Sequence, residues 1–104
     1  IPRPGNRQRT EGKLSELRKT LTVVNQRGLH ARASAKFVGA VAEVPEGCSV
    51  RVAKGGSEAA GGSILGLMML GAAKGDTIEL IVAGNGADTV MADLSAMIED
   101  GFGE

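Results

Sequence analysis

The chain has 104 residues, of which 42% are hydrophobic, and its formal net charge is zero. That length suits one domain with one core, and two Phe with no Trp or Tyr make the core aliphatic. The scarcity of aromatic rings argues against binding of single-stranded nucleic acid, whose bases usually stack on such rings. One Cys and one His supply neither a disulfide framework nor a structural zinc site, so we expect no metal and no other cofactor.

The charge is unevenly distributed along the chain. Residues 1–20 carry six basic and two acidic side chains, which leaves residues 21–104 mildly acidic. We predict that residues 1–19 are a disordered leader or a segment added for expression, with at most a turn of helix over Lys13–Lys19, and that residues 20–104 form the domain. No apolar run approaches the ~20 residues that span a membrane, and the start lacks the apolar segment of a secretory signal. We therefore expect a soluble, cytoplasmic and monomeric protein without membrane insertion.

A change in the spacing of the apolar residues predicts a strand followed by a helix. Near-alternation of β-branched residues predicts a strand over Thr20–Asn25. From Ala31 to about Glu43 the apolar residues recur at helical spacing, with Ala35 and Val38 on the predicted apolar stripe. Pro45 and Gly47 then end the helix.

The later elements are, in chain order, a strand over Cys48–Ala53, a short strand over Glu58–Ala60, a helix over Ile64–Leu70, a strand over Asp76–Ala83 and a helix over Ala87–Asp100. The run Ile64–Leu70 suits either a buried strand or a short helix. Ser63 is a good N-cap and Gly71 a good stop, so we favour the helix. The order β-α-β-β-α-β-α predicts an α+β fold with a four-stranded antiparallel sheet and three helices on one face.

His30 lies at the junction of the first strand and the first helix, and it is the only histidine. The first N–H groups of a helix have no partner within it, so we expect those of Ala31 and Arg32 to point at a phosphate on His30. Arg32 adds a positive charge, and a neutral imidazole nitrogen is a nucleophile. No carboxylate lies near His30 in the sequence to build a hydrolytic triad. On the residues alone, a lone histidine at a helix start is more often a structural cap or an exposed side chain.

Two motifs resemble the HPr family, the histidine-containing phosphocarrier proteins of the bacterial phosphoenolpyruvate-dependent sugar phosphotransferase system. Gly28–Phe37 is similar to the active-site motif of the family, and Gly62–Leu70 looks like its second motif, around a regulatory serine. The similarity runs from about Thr20 to the C-terminus. It departs from the family pattern at Ala33, where Pro is usual, and at Gly62, where Lys is frequent.

The resemblance implies an open-faced β-sandwich and a role for each motif. Phospho-enzyme I, which takes its phosphate from phosphoenolpyruvate, would phosphorylate Nδ1 of His30, and His30 would pass the phosphoryl group to a histidine of an enzyme IIA domain. Arg32 would be the charge partner. Ser63 would match the serine that an HPr kinase/phosphorylase modifies. The chain would be a phosphoryl-transfer intermediate and not an enzyme that turns over substrate alone.

The apolar run after Ser63 exceeds what one short helix can bury. We predict that Ile64, Leu65 and Met68 serve in partner docking, with Leu65 and Met68 facing outward, because Met suits a surface that serves several partners. A phosphate on Ser63 would add about −2 charge beside that surface.

Two further hypotheses come from other classes of function. In the first, the chain is a regulatory interaction module controlled by phosphorylation of Ser63, with His30 as a cap; a nitrogen-type regulatory phosphotransfer branch, in place of sugar transport, is a related alternative. In the second, the chain is a small-ligand-binding α+β domain. The absence of a polar cluster besides His30 and Arg32 counts against the second.

Overall fold

A computed structural model describes residues 16–104. The elements are β1 (Glu16–Thr22), α1 (Ala31–Val41), β2 (Cys48–Lys54), β3 (Ser57–Ala60), α2 (Ile64–Met69), β4 (Thr77–Gly84), α3 (Ala87–Glu99) and a 3₁₀ turn at Gly101–Gly103. The predicted α+β class and the order β-α-β-β-α-β-α are confirmed. The ambiguous apolar run after Ser63 is a helix, as its cap residue predicted.

The four strands form an antiparallel sheet in the order β1-β4-β2-β3. Alternate residues of β4, such as Leu80 and Val82, are fully buried in the core. Phe37 of α1, Leu67 of α2 and Leu94 of α3 enter the same core. These three helices therefore cover one face of the sheet, and within residues 16–104 the opposite face has no helix over it.

On that open face, Ile81 is 1% exposed although it lies outside the core cluster. The strand register places Arg18 on one side of Ile81 and Arg51 on the other. The Arg51 guanidinium bridges two carboxylates, with Nη2 2.9 Å from Glu16 and Nη1 2.7 Å from Glu58. Arginine can cover apolar surface with its stem while its charge stays in water, which accounts for a buried isoleucine here.

The bounds of β1 correct the predicted strand over Thr20–Asn25. β1 begins at Glu16 because residues 16–19 pair with Leu80–Ala83 of β4. The predicted turn of helix over Lys13–Lys19 is thus wrong for residues 16–19, which are extended and belong to the sheet. The prediction for residues 1–15 lies outside the described residues.

The buried face of α1 also differs from the predicted stripe. Ala33, Ser34 and Phe37 are its buried residues, whereas Ala35 is exposed. Ser34 is polar and for that reason did not count toward an apolar period, yet it is fully buried because its hydroxyl donates to the Leu29 carbonyl oxygen at 3.3 Å. The helix α1 therefore turns Ala33, Ser34 and Phe37 toward the core in place of Ala35.

No helix within residues 16–104 combines the length and the apolar content needed to cross a membrane. Over the same range, no group of three or more His, Cys, Asp and Glu side chains is placed to hold a metal ion.

Candidate functional site

His30 is the N-cap residue of α1. Its backbone is extended, with φ −79° and ψ −178°, and its carbonyl oxygen accepts the first helical hydrogen bond from Ser34 N–H at 2.9 Å. The side chain turns back over the helix start, so Nδ1 accepts a hydrogen bond of 3.2 Å from the backbone N–H of Arg32. The imidazole therefore occupies the place where Ser, Asp or Asn usually caps a helix.

The loop that carries His30 is fixed against the segment after α2. Leu29 N–H donates to the carbonyl oxygen of Ala72 at 3.0 Å. Gly28 has φ +64°, and a Cβ there would overlap the same oxygen and lie 2.8 Å from Ala73 Cα. Only glycine permits both this conformation and this close approach, so Gly28 is required for the position of His30.

A carboxylate from the far end of the chain reaches the other ring nitrogen. Nε2 of His30 lies 2.8 Å from Oε2 of Glu104, a residue 74 positions away in sequence. Asn25, which is 4% exposed, donates through Nδ2 to the Gly28 carbonyl oxygen at 2.7 Å and to Oε2 of Glu104 at 3.3 Å. Glu104 was missed at the level of sequence, because no pattern in the sequence links it to His30.

The hydrogen bond from His30 is the largest cause that lowers the pKa of Glu104 below its ordinary value. Loss of solvation at this site opposes the shift, and hydrogen bonds from Asn25 and from the Gln26 backbone reinforce it. At neutral pH the group is therefore a carboxylate, which accepts hydrogen bonds and cannot donate one.

These two partners assign the tautomer of the neutral ring. A backbone N–H can only donate, so Nδ1 accepts from Arg32. A carboxylate can only accept, so Nε2 carries the proton that Glu104 receives. The unprotonated nitrogen is thus Nδ1, which faces the N-terminus of α1.

The turn before Glu104 is anchored at two points. The ring of Phe102 is 3% exposed and belongs to the core. Nζ of Lys36, on α1, donates to the Phe102 carbonyl oxygen at 2.8 Å. Phe102 also has φ +59°, a conformation unusual for a residue with a Cβ. The buried ring and the lysine hold Glu104 within reach of His30.

Ala31 and Arg32, the predicted cradle for a phosphate, are the first two residues of α1, and both are exposed. The backbone N–H of Arg32 is directed at the ring of His30, as the contact with Nδ1 shows. Within residues 16–104 the Arg32 guanidinium is in no ion pair. In that part of the chain it therefore adds an uncompensated positive charge beside His30.

Ser63 is the N-cap of α2, and its Oγ accepts from Gly66 N–H at 2.9 Å. The helix then divides its apolar residues between two environments. Leu67 and Leu70 are buried, whereas the exposed set, called here the α2 patch, comprises Ile64, Leu65, Met68 and Met69. The three predicted docking residues belong to this patch, and Met69, 76% exposed, was not singled out from the sequence. Because α2 packs beside α1, the patch and His30 belong to neighbouring helices.

The model of a known protein family, described as the PTS HPr component phosphorylation site, matches residues 17–100. The chain belongs to the HPr family. Among curated relatives of this family, the phosphocarrier protein HPr of Neisseria meningitidis serogroup A is 42% identical over 85% of this chain and 97% of that protein. The phosphocarrier protein NPr of Shewanella violacea is 32% identical over 88% of this chain and 98% of that protein.

A solved HPr structure has the same fold. HPr-C-His from Thermoanaerobacter tengcongensis superposes with a TM-score of 0.78 and 31% sequence identity, covering 85% of this chain and 97% of that one. The expected HPr-like β-sandwich is confirmed. As a member of the HPr family, the chain is a phosphocarrier protein of the bacterial phosphotransferase system.

Proposed function

We propose that the chain carries a phosphoryl group on Nδ1 of His30. Phospho-enzyme I, charged from phosphoenolpyruvate, donates the group, and a histidine of an enzyme IIA domain accepts it. The observation that supports this most is the hydrogen bond from Arg32 N–H to Nδ1 at the start of α1. It identifies Nδ1 as the unprotonated nitrogen and aims it at a helix N-terminus, where anions bind well.

The step requires little rearrangement. The lone pair of Nδ1 forms the bond to phosphorus while the bond between phosphorus and the donor breaks, and that electron pair returns to the donor. The N–H of Arg32 then loses its ring acceptor and donates to a phosphoryl oxygen instead. The Arg32 guanidinium, exposed and unpaired within residues 16–104, supplies a charge-assisted contact to the same group.

The α2 patch supports the proposed docking of both partners. Leu65 and Met69 are 67% and 76% exposed and lie four residues apart, on the same side of α2, where they form part of one apolar patch. Donor and acceptor proteins can each cover the patch and reach His30 on the neighbouring helix. We propose that the protein does this as a cytoplasmic monomer.

Ser63 is proposed as a regulatory site for an HPr kinase/phosphorylase. It stands at the edge of the α2 patch, so a phosphate on its oxygen places about −2 charge against an incoming partner. The existing N-cap bond to Gly66 N–H shows that an oxygen is already accommodated there. We expect weaker docking of partners and an unchanged fold.

A second candidate is a regulatory branch, including a nitrogen-type phosphotransfer system, in place of sugar transport. The similarity to a relative named phosphocarrier protein NPr favours it. That relative is itself a phosphocarrier, so in this branch His30 still takes phosphate; the similarity does not favour a module controlled by Ser63 alone.

The test is incubation of the purified chain with phosphoenolpyruvate and an enzyme I that phosphorylates a reference HPr. We expect one acid-labile phosphate on the chain, lost in His30→Ala and retained in Ser63→Ala. Absence of labelling while the reference is labelled would overturn the carrier proposal. Incubation with ATP and an HPr kinase tests Ser63, where acid-stable phosphate that Ser63→Ala abolishes is the expected result.

A further inference from the structure

A groove with a volume of about 580 Å³ lies between the C-terminal end of α1 and the side of α3. We propose that it is a second docking surface, which binds a basic, amphipathic helix of a partner protein and leaves the α2 patch open. The volume falls in the range of sites that bind ligands. The shape, the walls and the charges of the groove each favour such an occupant.

The α3 side of the groove is one continuous stripe of the helix. It comprises Gly86, Thr89, Val90, Asp93, Leu94 and Met97. These positions recur three and four residues apart, so they share one face of α3. The stripe from Gly86 to Met97 is about 16 Å long, which is three helical turns. An elongated occupant suits this length, and a helix that lays its apolar face into a groove is a common form of peptide recognition.

The walls of the groove present apolar surface. Val90 and Leu94 are buried residues of the core that also line the groove. Val44, which follows α1, and Met97 of α3 are half-buried and pack against the same core. A partner that covers these side chains removes apolar surface from water, which stabilises the complex.

The charged side chains that line the groove are both acidic. Glu43 and Asp93 are exposed, and within residues 16–104 neither is in an ion pair. Residues 42–47 contain no basic side chain, and neither does α3. This part of the surface therefore attracts a basic segment, whereas nucleic acid and anionic lipid are repelled.

The groove is separate from the surface that serves His30. Ala40 lines the groove, and the interval from His30 to Ala40 is about 15 Å along the helix. Among the described residues that line the groove, none belongs to α2. The start of α1 also has the opposite charge, with Arg32 and Lys36 and no acidic side chain in the helix. A partner in the groove thus leaves the α2 patch free for enzyme I.

The test is an NMR titration of the ¹⁵N-labelled full chain with a synthetic helical peptide of roughly 14 residues, about four turns, with Leu on one face and Lys on the other. We expect shifts of the amide signals of Val44 and Met97, and a Kd that rises with added salt. Asp93→Lys should raise the Kd roughly fivefold, because an attractive contact becomes a repulsive one. Asp100→Lys, the same change at an exposed position outside the groove, is the matched control and should bind as the wild type does.

A peptide with Glu in place of Lys should not bind, and a saturating amount of the Lys peptide should leave the rate of phosphorylation by phospho-enzyme I unchanged. The proposal is overturned if the Lys peptide does not bind, if it shifts only signals of the α2 patch, or if Asp93→Lys and Asp100→Lys have the same Kd. Groove signals that depend on chain concentration before peptide is added would assign the groove to a second copy of the chain. Nuclear Overhauser contacts with residues 1–15 would assign it to the chain itself, and either result also overturns the proposal.

Discussion

Nζ of Lys36 donates a hydrogen bond of 2.8 Å to the carbonyl oxygen of Phe102, 66 residues later in the chain. This contact joins α1 to the C-terminal turn. The left-handed backbone of Phe102 costs on the order of 1–3 kcal/mol, and burial of its ring together with the lysine contact offsets that cost. The result is that the same helix both presents His30 at its start and holds, further along, the segment that carries Glu104.

Replacement of Lys36 by Met should therefore weaken the hydrogen bond between Glu104 and His30 through its effect on the C-terminal turn. Lys36→Met removes the donor while keeping the apolar stem, so the turn loosens and the hydrogen bond to His30 weakens. We expect the pKa of the Glu104 carboxyl to rise toward its ordinary value, measured by ¹³C NMR titration. Lys54→Met, which removes a cation 3.8 Å from Asp76 on another part of the surface, is the control. An unchanged titration of Glu104 in Lys36→Met would contradict the anchoring role.

The contact between Glu104 and His30 should depend on pH in one direction. The pKa of Glu104 is lowered in the folded chain, chiefly by the hydrogen bond from His30, relative to an ordinary value of 4.5. Its contribution to stability is thus complete above the ordinary value and is lost as the pH falls through the lowered folded value. In His30→Ala the pKa of Glu104 should rise toward its ordinary value. Arg27→Ala, a change in the same loop, should leave the pKa of Glu104 unchanged. A carboxyl that titrates identically in His30→Ala and wild type would refute this.

Gly28→Ala should damage the His30 loop. The left-handed conformation costs an alanine roughly 1–2 kcal/mol, and overlap with the Ala72 carbonyl oxygen adds a second penalty of about 1–3 kcal/mol. Gly55→Ala is a matched control, since Gly55 has φ +59° but no atom within 4 Å of the point that a Cβ would occupy. Urea unfolding should show a larger loss of stability in Gly28→Ala, accompanied by slower phosphorylation. Equal losses in both variants would show that contact with Ala72 is unimportant.

Two substitutions of Ser63 should separate its role as the N-cap of α2 from the effect of a negative charge at this position. Ser63→Ala removes the acceptor for Gly66 N–H and should lower the free energy of unfolding by about 1 kcal/mol. Ser63→Asp keeps a good capping oxygen, so stability should be near that of wild type, while its negative charge should raise KM for phospho-enzyme I. Thermal unfolding and steady-state assays of the two variants test this, and a wild-type KM in Ser63→Asp would count against control of docking by charge.

Leu65 and Leu67 lie two residues apart on α2, but their replacement by Ala should have opposite effects on docking and on stability. Leu65 is 67% exposed, so Leu65→Ala should change stability by less than about 0.5 kcal/mol and should raise KM for phospho-enzyme I. Leu67 is fully buried, so Leu67→Ala should cost about 2–5 kcal/mol in stability. If KM for Leu65→Ala equals that of wild type, the α2 patch is not the docking surface.

The sequence predicted the elements well where local signals act. Ser63 and Gly71 bound α2 as expected from capping, and the helical period of α3 placed it within one residue of its observed end at Glu99. The start of β1 was missed because Glu16, Arg18 and Lys19 resemble a charged leader in isolation. They are strand residues because they pair with β4, where Nη1 of Arg18 lies 3.1 Å from Oε1 of Glu79.

Only part of the candidate site could be predicted from the sequence. His30 and Arg32 lie two residues apart at a strand-to-helix junction, so the helix N-terminus could be inferred from them. Glu104 and Asn25 meet His30 only because the C-terminal turn folds back over the loop.

The sheet order β1-β4-β2-β3 has a consequence for how the chain is made. β1 is the first described strand to leave the ribosome, yet among the described strands it pairs with β4 alone, with Thr22 opposite Thr77. During synthesis the β2–β3 hairpin can close early, but β1 must wait until β4 has emerged. Pairings between segments so far apart close slowly because of loop entropy. Until β4 has emerged, the nascent chain therefore exposes the apolar side of β1, and chaperones can bind it in that interval.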